Sequence, residues 1–269
     1  MDVIDLPARR RYGRPPFRVA LLHGGPGALG YLAPVARRLA ERRGVVEPLL
    51  RAPTVAGQLD ELRGTLDDIE GPVTLVGHSW GAVLGYLLAG QTPERVDQLV
   101  LVASAPFDER HATGLLPTRL GRLDEAERHA ATTALAALED PSLDPAARAA
   151  ELARLDELFT RADGYDLVSL DTEVDADLPD VYDQVWAEVR ALRASGELVA
   201  LGRRIRCPVV AVHGDYDPHP ADGVRLPLAP VLADFRFTLL ERCGHLPWLE
   251  RHAREPFYEL LERVLPRAT

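Results

Sequence analysis

Three observations predict an α/β protein with a doubly wound, mostly parallel sheet and an inserted helical cap. Short, nearly continuous apolar runs recur along the chain, as strands covered on both faces require. Segments with apolar residues at helical spacing separate these runs, the alternation that winds helices onto both faces of a parallel sheet. Between about residues 107 and 201 the rhythm lapses into helical patterns alone.

Residues 17–22 (FRVALL) are the first apolar run and end in His23-Gly24-Gly25-Pro26-Gly27. Residues 31–42 read as a helix with Leu32, Val35, Ala36 and Leu39 on one face. Residues 45–50 form the second strand, and 57–69 a helix that aligns Leu59, Leu62, Leu66 and Ile69. Residues 73–76 are the third strand, 80–91 the helix after it, and 99–103 (LVLVA) the fourth strand.

The insertion then begins. Residues 124–138 are Ala-rich. Asp144-Pro145, a cap followed by a first-turn proline, opens a helix to about Ala162. Residues 179–194 carry Val181, Val185, Val189 and Leu192 at helical spacing and stop at Gly196. Strands resume at 207–212 and 235–240, with helices near 222–232 and 250–264. The expected division is a core of residues 1–106 and 202–269, with 107–201 as a cap over the C-terminal edge of the sheet. The first sixteen residues show no strong strand pattern.

Bulk properties narrow the function. The net charge of −10 disfavours nucleic acid or an anionic membrane as partner, since both demand a basic face. All 31 basic residues are arginine, from which no function follows. The opening MDVIDLP lacks the apolar core of a signal peptide, and no apolar run approaches spanning length, so a cytoplasmic protein is expected. Cys207 opens one strand and Cys243 follows the next, which puts them at opposite ends of the sheet. Two free thiols are expected.

The chemistry centres on VTLVGHSWGAVLGYLLA, residues 73–89. A serine at so tight a strand-to-helix junction needs neighbours without side chains, because a Cβ there would clash. Ser79 would then stand at a helix N-terminus, where N–H groups favour developing negative charge. This is the G-x-S-x-G nucleophile elbow in its required setting.

A serine hydroxyl needs an oriented base. VVAVHGDYDPHP leaves one strand with Asp215 and Asp217, and LLERCGHLPWLE leaves the next with His245. The order Ser79, Asp217, His245 suits the elbow, with Asp215 or Asp108 as substitute acids. The glycines after His23 let the chain pass close to the serine, so the N–H groups of Gly25 and Trp80 can face an oxyanion. His213, Asp215, Asp217 and His219 raise the question of a metal, but successive residues leaving one strand rarely converge, and none is expected.

With these motifs the chain resembles the α/β-hydrolase superfamily, HGGPG and GHSWG being most similar to its proline-iminopeptidase-like branch. The resemblance runs from residue 17 onward. It implies Ser79 as nucleophile, His245 as general base and acid, and Asp217, at the family's G-x-x-D spacing from Gly214, as orienter. It implies Gly25 and Trp80 as oxyanion donors and no cofactor. The family's N-terminal hairpin is expected to be largely missing, and its amine-holding cap glutamates have no clear match.

Candidate pocket residues are His23, Gly24, His78, Tyr182, Trp186 and Trp248, while Asp171, Glu173, Asp175 and Asp177 could steer a cationic substrate. The expected activity is hydrolysis of a carboxylic ester or related acyl bond of a small molecule. A proline-iminopeptidase-like aminopeptidase and a ligand-binding protein on the same shell are the alternatives.

Overall fold

The computed structural model describes residues 7–140, 142–169 and 178–266. The first described element is β1 (Arg9–Tyr12), antiparallel to the third strand, where no strand was expected. Three arginines hide it from any apolar pattern. They are tolerated because an edge strand faces water on one side, where charge also deters pairing with other chains. Arg9 pairs with Asp68, and the Tyr12 hydroxyl donates to Glu47 Oε2 at 2.7 Å.

There follow β2 (Val19–Leu22), α1 (Ala33–Leu39), β3 (Val45–Pro48), α2 (Val55–Asp67), β4 (Val73–His78), α3 (Trp80–Gln91) and β5 (Val96–Val102). The insertion supplies α4 (Leu115–Arg122), α5 (Glu125–Leu138), α6 (Pro145–Asp163), α7 (Pro179–Ala194) and α8 (Glu197–Ala200). The chain then returns through β6 (Val209–Gly214), α9 (Asp222–Leu228), β7 (Phe235–Leu240) and α10 (Arg254–Val264).

The sheet order is β1-β3-β2-β4-β5-β6-β7, and every pairing but β1 with β3 is parallel. β4 is therefore the central strand. Loops leaving the C-terminal ends of β2, β4, β6 and β7 open on one edge, the edge where sheets of this kind assemble sites.

The period of two along each strand divides the core. Val19 and Leu21 pack on one face with residues of α1 and α10, whereas Ala20 and Leu22 pack on the other with α2 and α3. Burying one such leucine fully stabilises by about 1.5–3 kcal/mol, so two continuous layers hold even short strands in register.

The insertion splits in its packing. Helix α6 starts on the expected cap, Asp144 accepting from the Ala146 and Ala147 N–H groups, and α5 starts on a reciprocal capping box of Asp124 and Glu127. Leu123, Ala131, Ala134, Leu155, Leu158 and Ala162 make a small core between α4, α5 and α6. In contrast, Val181, Val185 and Val189 of α7 join the main core, and Glu188 accepts the Val55 N–H at 3.0 Å. Helix α4 escaped the sequence reading because LLPTRLGR contains proline and glycine and buries no residue.

Cys207 and Cys243 are free and buried, as expected. Among the described residues no helix is long and apolar enough to cross a membrane.

Candidate active site

Ser79 lies between β4 and α3 with φ 52° and ψ −112°, a left-handed conformation that side chains rarely adopt. Its neighbours make the turn possible. A Cβ on Gly77 would lie 2.2 Å from the Gly81 carbonyl oxygen, and one on Gly81 would lie 2.1 Å from the Leu22 carbonyl oxygen. Both contacts are with backbone and cannot relax cheaply. The Ser79 N–H is anchored on the Val102 carbonyl at 2.9 Å, which ties the turn to β5. Trp80 begins α3, so its N–H is one of the donors an α-helix leaves unused at its start.

The HGGPG loop passes directly against this turn. A Cβ on Gly24 would lie 2.6 Å from His78 Nδ1 and 3.4 Å from Ser79 Cβ. Gly25 follows with φ 38°, again left-handed. His23 is buried beneath the loop, its Nδ1–H donating to the Gly24 carbonyl at 3.0 Å and its Nε2 accepting from the Leu50 N–H at 3.2 Å. With both nitrogens engaged, His23 braces the loop. Burial holds it neutral, below its usual 6.5.

Asp217, past the end of β6, is the centre of a buried cluster. His245 Nδ1 donates to its Oδ2 at 2.8 Å. The His219 N–H and ring Nδ1–H donate to its Oδ1 at 2.9 and 3.1 Å. His213 Nε2 lies 3.4 Å from Oδ2 while donating to the His219 carbonyl at 2.9 Å.

Burial pushes the Asp217 carboxyl up, but the imidazoles of His245 and His213 and the bonds from His219 and His245 outweigh it. The group ends well below its usual 3.8. Burial likewise pulls the His245 imidazole down, yet the carboxylate it faces wins and raises it above 6.5. The pair is thus a carboxylate holding an imidazole ready to take a proton.

His78 joins the two halves of the site. Its Nε2–H donates to the His245 carbonyl at 2.9 Å, and its ring lies 4.7 Å from the His245 ring. Tyr31 stacks on it at 5.6 Å and Trp248 meets it edge-on at 4.8 Å. His78 is buried and held neutral, well below 6.5, chiefly by desolvation. Ser79, next in the chain, is thereby set beside the His245 loop.

The insertion reaches the site from three directions. Leu178 abuts Gly27, where a Cβ would lie 2.8 Å away. Trp186 packs edge-on to Trp80 at 5.9 Å, and Tyr182, partly exposed, packs on Trp186 at 6.1 Å. The Asp163 carbonyl accepts the His245 N–H at 2.8 Å.

The sequence-predicted residues Ser79, Trp80, Gly24, Gly25, His78, Asp217, His245 and Trp248 therefore gather around one point. Asp215 and Asp108 are turned elsewhere, the first accepting the Cys243 N–H at 3.1 Å and the second pairing with His111 and Arg110. Asp171, Glu173, Asp175 and Asp177 lie outside the described residues.

One inference fails: residues leaving β6 do converge, since His213, Asp217 and His219 meet. The donor atoms of Asp217, His219 and His245 lie within 4.8 Å of one another. Each imidazole turns its Nδ1 to a separate oxygen of Asp217, at 3.1 Å from His219 and 2.8 Å from His245. Tyr31, Arg119, Asp163 and Glu250 were missed, because nothing in their local sequence marks them.

A cavity of about 600 Å³ lined by Val55, Leu59, Leu87, Gln91, Leu192 and Leu198 opens at the far end of α3 from Ser79. Leu87, its lining residue on α3 nearest the serine turn, stands eight positions, or roughly 12 Å along the helix, from Ser79.

Comparison with solved structures gives the same fold. A 2-hydroxy-6-oxo-6-phenylhexa-2,4-dienoate hydrolase from Rhodococcus sp. is 24% identical, covers 93% of this chain and 91% of its own, and superposes with a TM-score of 0.59. The enol-lactonase of Burkholderia xenovorans is 19% identical over 95% of this chain and 94% of its own, with a TM-score of 0.61. A proline iminopeptidase of Mycobacterium smegmatis is 17% identical over 95% and 92%, with a TM-score of 0.59. A search of curated protein sequences gives no match. The model of the alpha/beta hydrolase family matches residues 19–259, nearly the whole sheet, elbow and acid–base cluster, and the chain belongs to that family.

Proposed function

We propose that this protein is a serine hydrolase that cleaves a carboxylic ester or related acyl bond of a small molecule through an acyl-enzyme. The observation that carries this reading is the 2.8 Å bond from His245 Nδ1 to Asp217 in the loop beside the Ser79 turn. That bond leaves His245 Nε2 as the free base. Ser79 Oγ attacks the substrate carbonyl carbon as Nε2 takes its proton, and the oxyanion rests on the N–H groups of Gly25 and Trp80. Collapse expels the leaving group, which receives the proton from His245. Water, deprotonated by the same imidazole, then releases the acid and restores Ser79. Losing one oxyanion donor of this kind costs about 10²–10³ in rate.

Residues 107–201 act as the cap of this site. The contacts of Leu178 with Gly27, Trp186 with Trp80 and Asp163 with His245 support that role. The test is initial rates on a short-chain p-nitrophenyl ester and on L-proline p-nitroanilide, with Ser79→Ala as blank. Ester turnover that vanishes in the blank, with the anilide inert, is the expected result. Anilide cleavage abolished by acetylating the proline nitrogen would make it an aminopeptidase. Acylation of Ser79 without sustained turnover would make it a binding protein. Full turnover by Ser79→Ala would overturn the mechanism.

A further inference from the structure

His219 stacks on His245, ring centres 4.6 Å apart and planes 28° from parallel, and both rings turn Nδ1 to the same carboxylate. His78 lies on His245 as well, at 4.7 Å and 54°. The His245 ring is thus flanked by two imidazoles, and the acid it leans on is shared with one of them. The mechanism proposed above uses neither flanking ring.

We propose that His219 is a positioning residue for His245: its ring and main-chain N–H groups occupy Asp217 Oδ1, leaving Oδ2 to His245, while its face keeps the His245 ring from rocking. A carboxylate with four hydrogen-bonding sites and one task needs the others filled, or it rotates and its basicity rises. Desolvation keeps His219 neutral, at about 4, so at working pH it is a fixed donor and not a competing cation. The other charged or titratable groups facing the pair are His213 behind Asp217, His78 beside His245, and Arg119 and Asp163 from the insertion. All remain in the variants below.

The role rests on the serine-hydrolase reading, and the test separates the two. His219→Phe keeps a stacked ring without a donor, and His219→Asn keeps a donor without a stacked ring. Two readouts are followed: the pH profile of kcat and KM on the p-nitrophenyl ester, and the His245 ring titration by nitrogen NMR, which needs no substrate. With a donor lost, Asp217 becomes more basic and stabilises the His245 imidazolium. The acid limb of kcat/KM and the NMR midpoint should both rise by about half to one pH unit in His219→Phe. Its kcat should fall roughly tenfold with KM little changed. His219→Asn should return the midpoint to the wild-type value.

An unmoved His245 midpoint in a folded His219→Phe would overturn the proposal. So would failure of His219→Asn to restore it at equal melting temperature, or a rise in KM alone, which would make His219 a substrate contact. If the wild type turns over neither the ester nor the anilide, the hydrolase reading fails while the NMR titration still decides what His219 does.

Discussion

The main-chain N–H of His245 donates to the carbonyl of Asp163 at 2.8 Å, so the end of α6 holds the proposed base directly. The approach is close enough that a Cβ on Gly244 would lie 2.0 Å from that carbonyl oxygen. Arg119 of α4 fixes Asp163 by a two-pronged pair, Nε and Nη2 at 2.7 and 2.5 Å from its two carboxylate oxygens. The helical insertion and the His245 loop are therefore one mechanical unit.

Removing Arg119 leaves the buried Asp163 carboxylate unpaired, the costly way to break such a pair. Arg119→Met should lose about 3–5 kcal/mol of stability, read by urea unfolding. Arg119→Met combined with Asp163→Asn should recover much of it. If the single variant matched the wild type, the pair would be ornamental.

Glu250 is fully buried and accepts three main-chain N–H groups: Gly244 at 2.7 Å, Tyr165 at 2.7 Å and Asp166 at 2.8 Å. It staples the strap after α6 to the residue before His245. Glu250→Ala orphans all three donors and should cost about 3 kcal/mol or more. Its kcat, normalised to titrated active sites, should drop while KM holds. A stability loss with normal kcat per active site would leave Glu250 a purely structural staple.

The glycines make a sharp contrast. Gly81→Ala forces a Cβ to within 2.1 Å of backbone and should yield no folded protein. Gly64 is exposed within α2, and a Cβ there would have no heavy atom within 4 Å. Gly64→Ala should raise stability by about 0.5–1 kcal/mol through helix propensity alone. Thermal melts of the pair decide it, and a destabilised Gly64→Ala would contradict the packing of α2.

Stability should fall as pH drops below 6.5. His23, His78 and His219 are each held below that value in the fold, so unfolding takes up protons that the native state refuses. Their contribution is complete above 6.5 and is lost as pH falls toward the folded values, at up to ~1.4 kcal/mol per pH unit for each group. His245 has the opposite sign: its raised value stabilises below 6.5 and is lost as pH rises through the folded midpoint. Three groups against one set the direction. Urea midpoints that stayed level between about pH 7 and pH 5 would refute it. Activity needs neutral His245, so the acid limb of kcat/KM should lie above 6.5.

The local signals carried a long way. The apolar runs located β2 to β7: the inner strands are covered on both faces and so nearly continuously apolar, and the edge strand β7 still carries Phe235, Phe237, Leu239 and Leu240. The elbow was legible in Gly77, Ser79 and Gly81, since steric clash at a turn depends on the residues of the turn itself. β1 was not legible, because an edge strand of arginines obeys no burial pattern, and neither was α4, which buries nothing.

The site divides along the same line. By itself the chain determined β2 to β7, the strained serine turn and the choice of the proposed acid and base, all set by spacing along the backbone or by which strand a loop leaves. Only the tertiary structure decided that His219 and His78 flank His245 and that Asp163, Arg119 and Glu250 hold its loop. These are contacts between residues dozens to more than a hundred positions apart, or between side chains whose rotation no periodicity records. Their partners are chosen by packing, and packing exists only once the chain has folded.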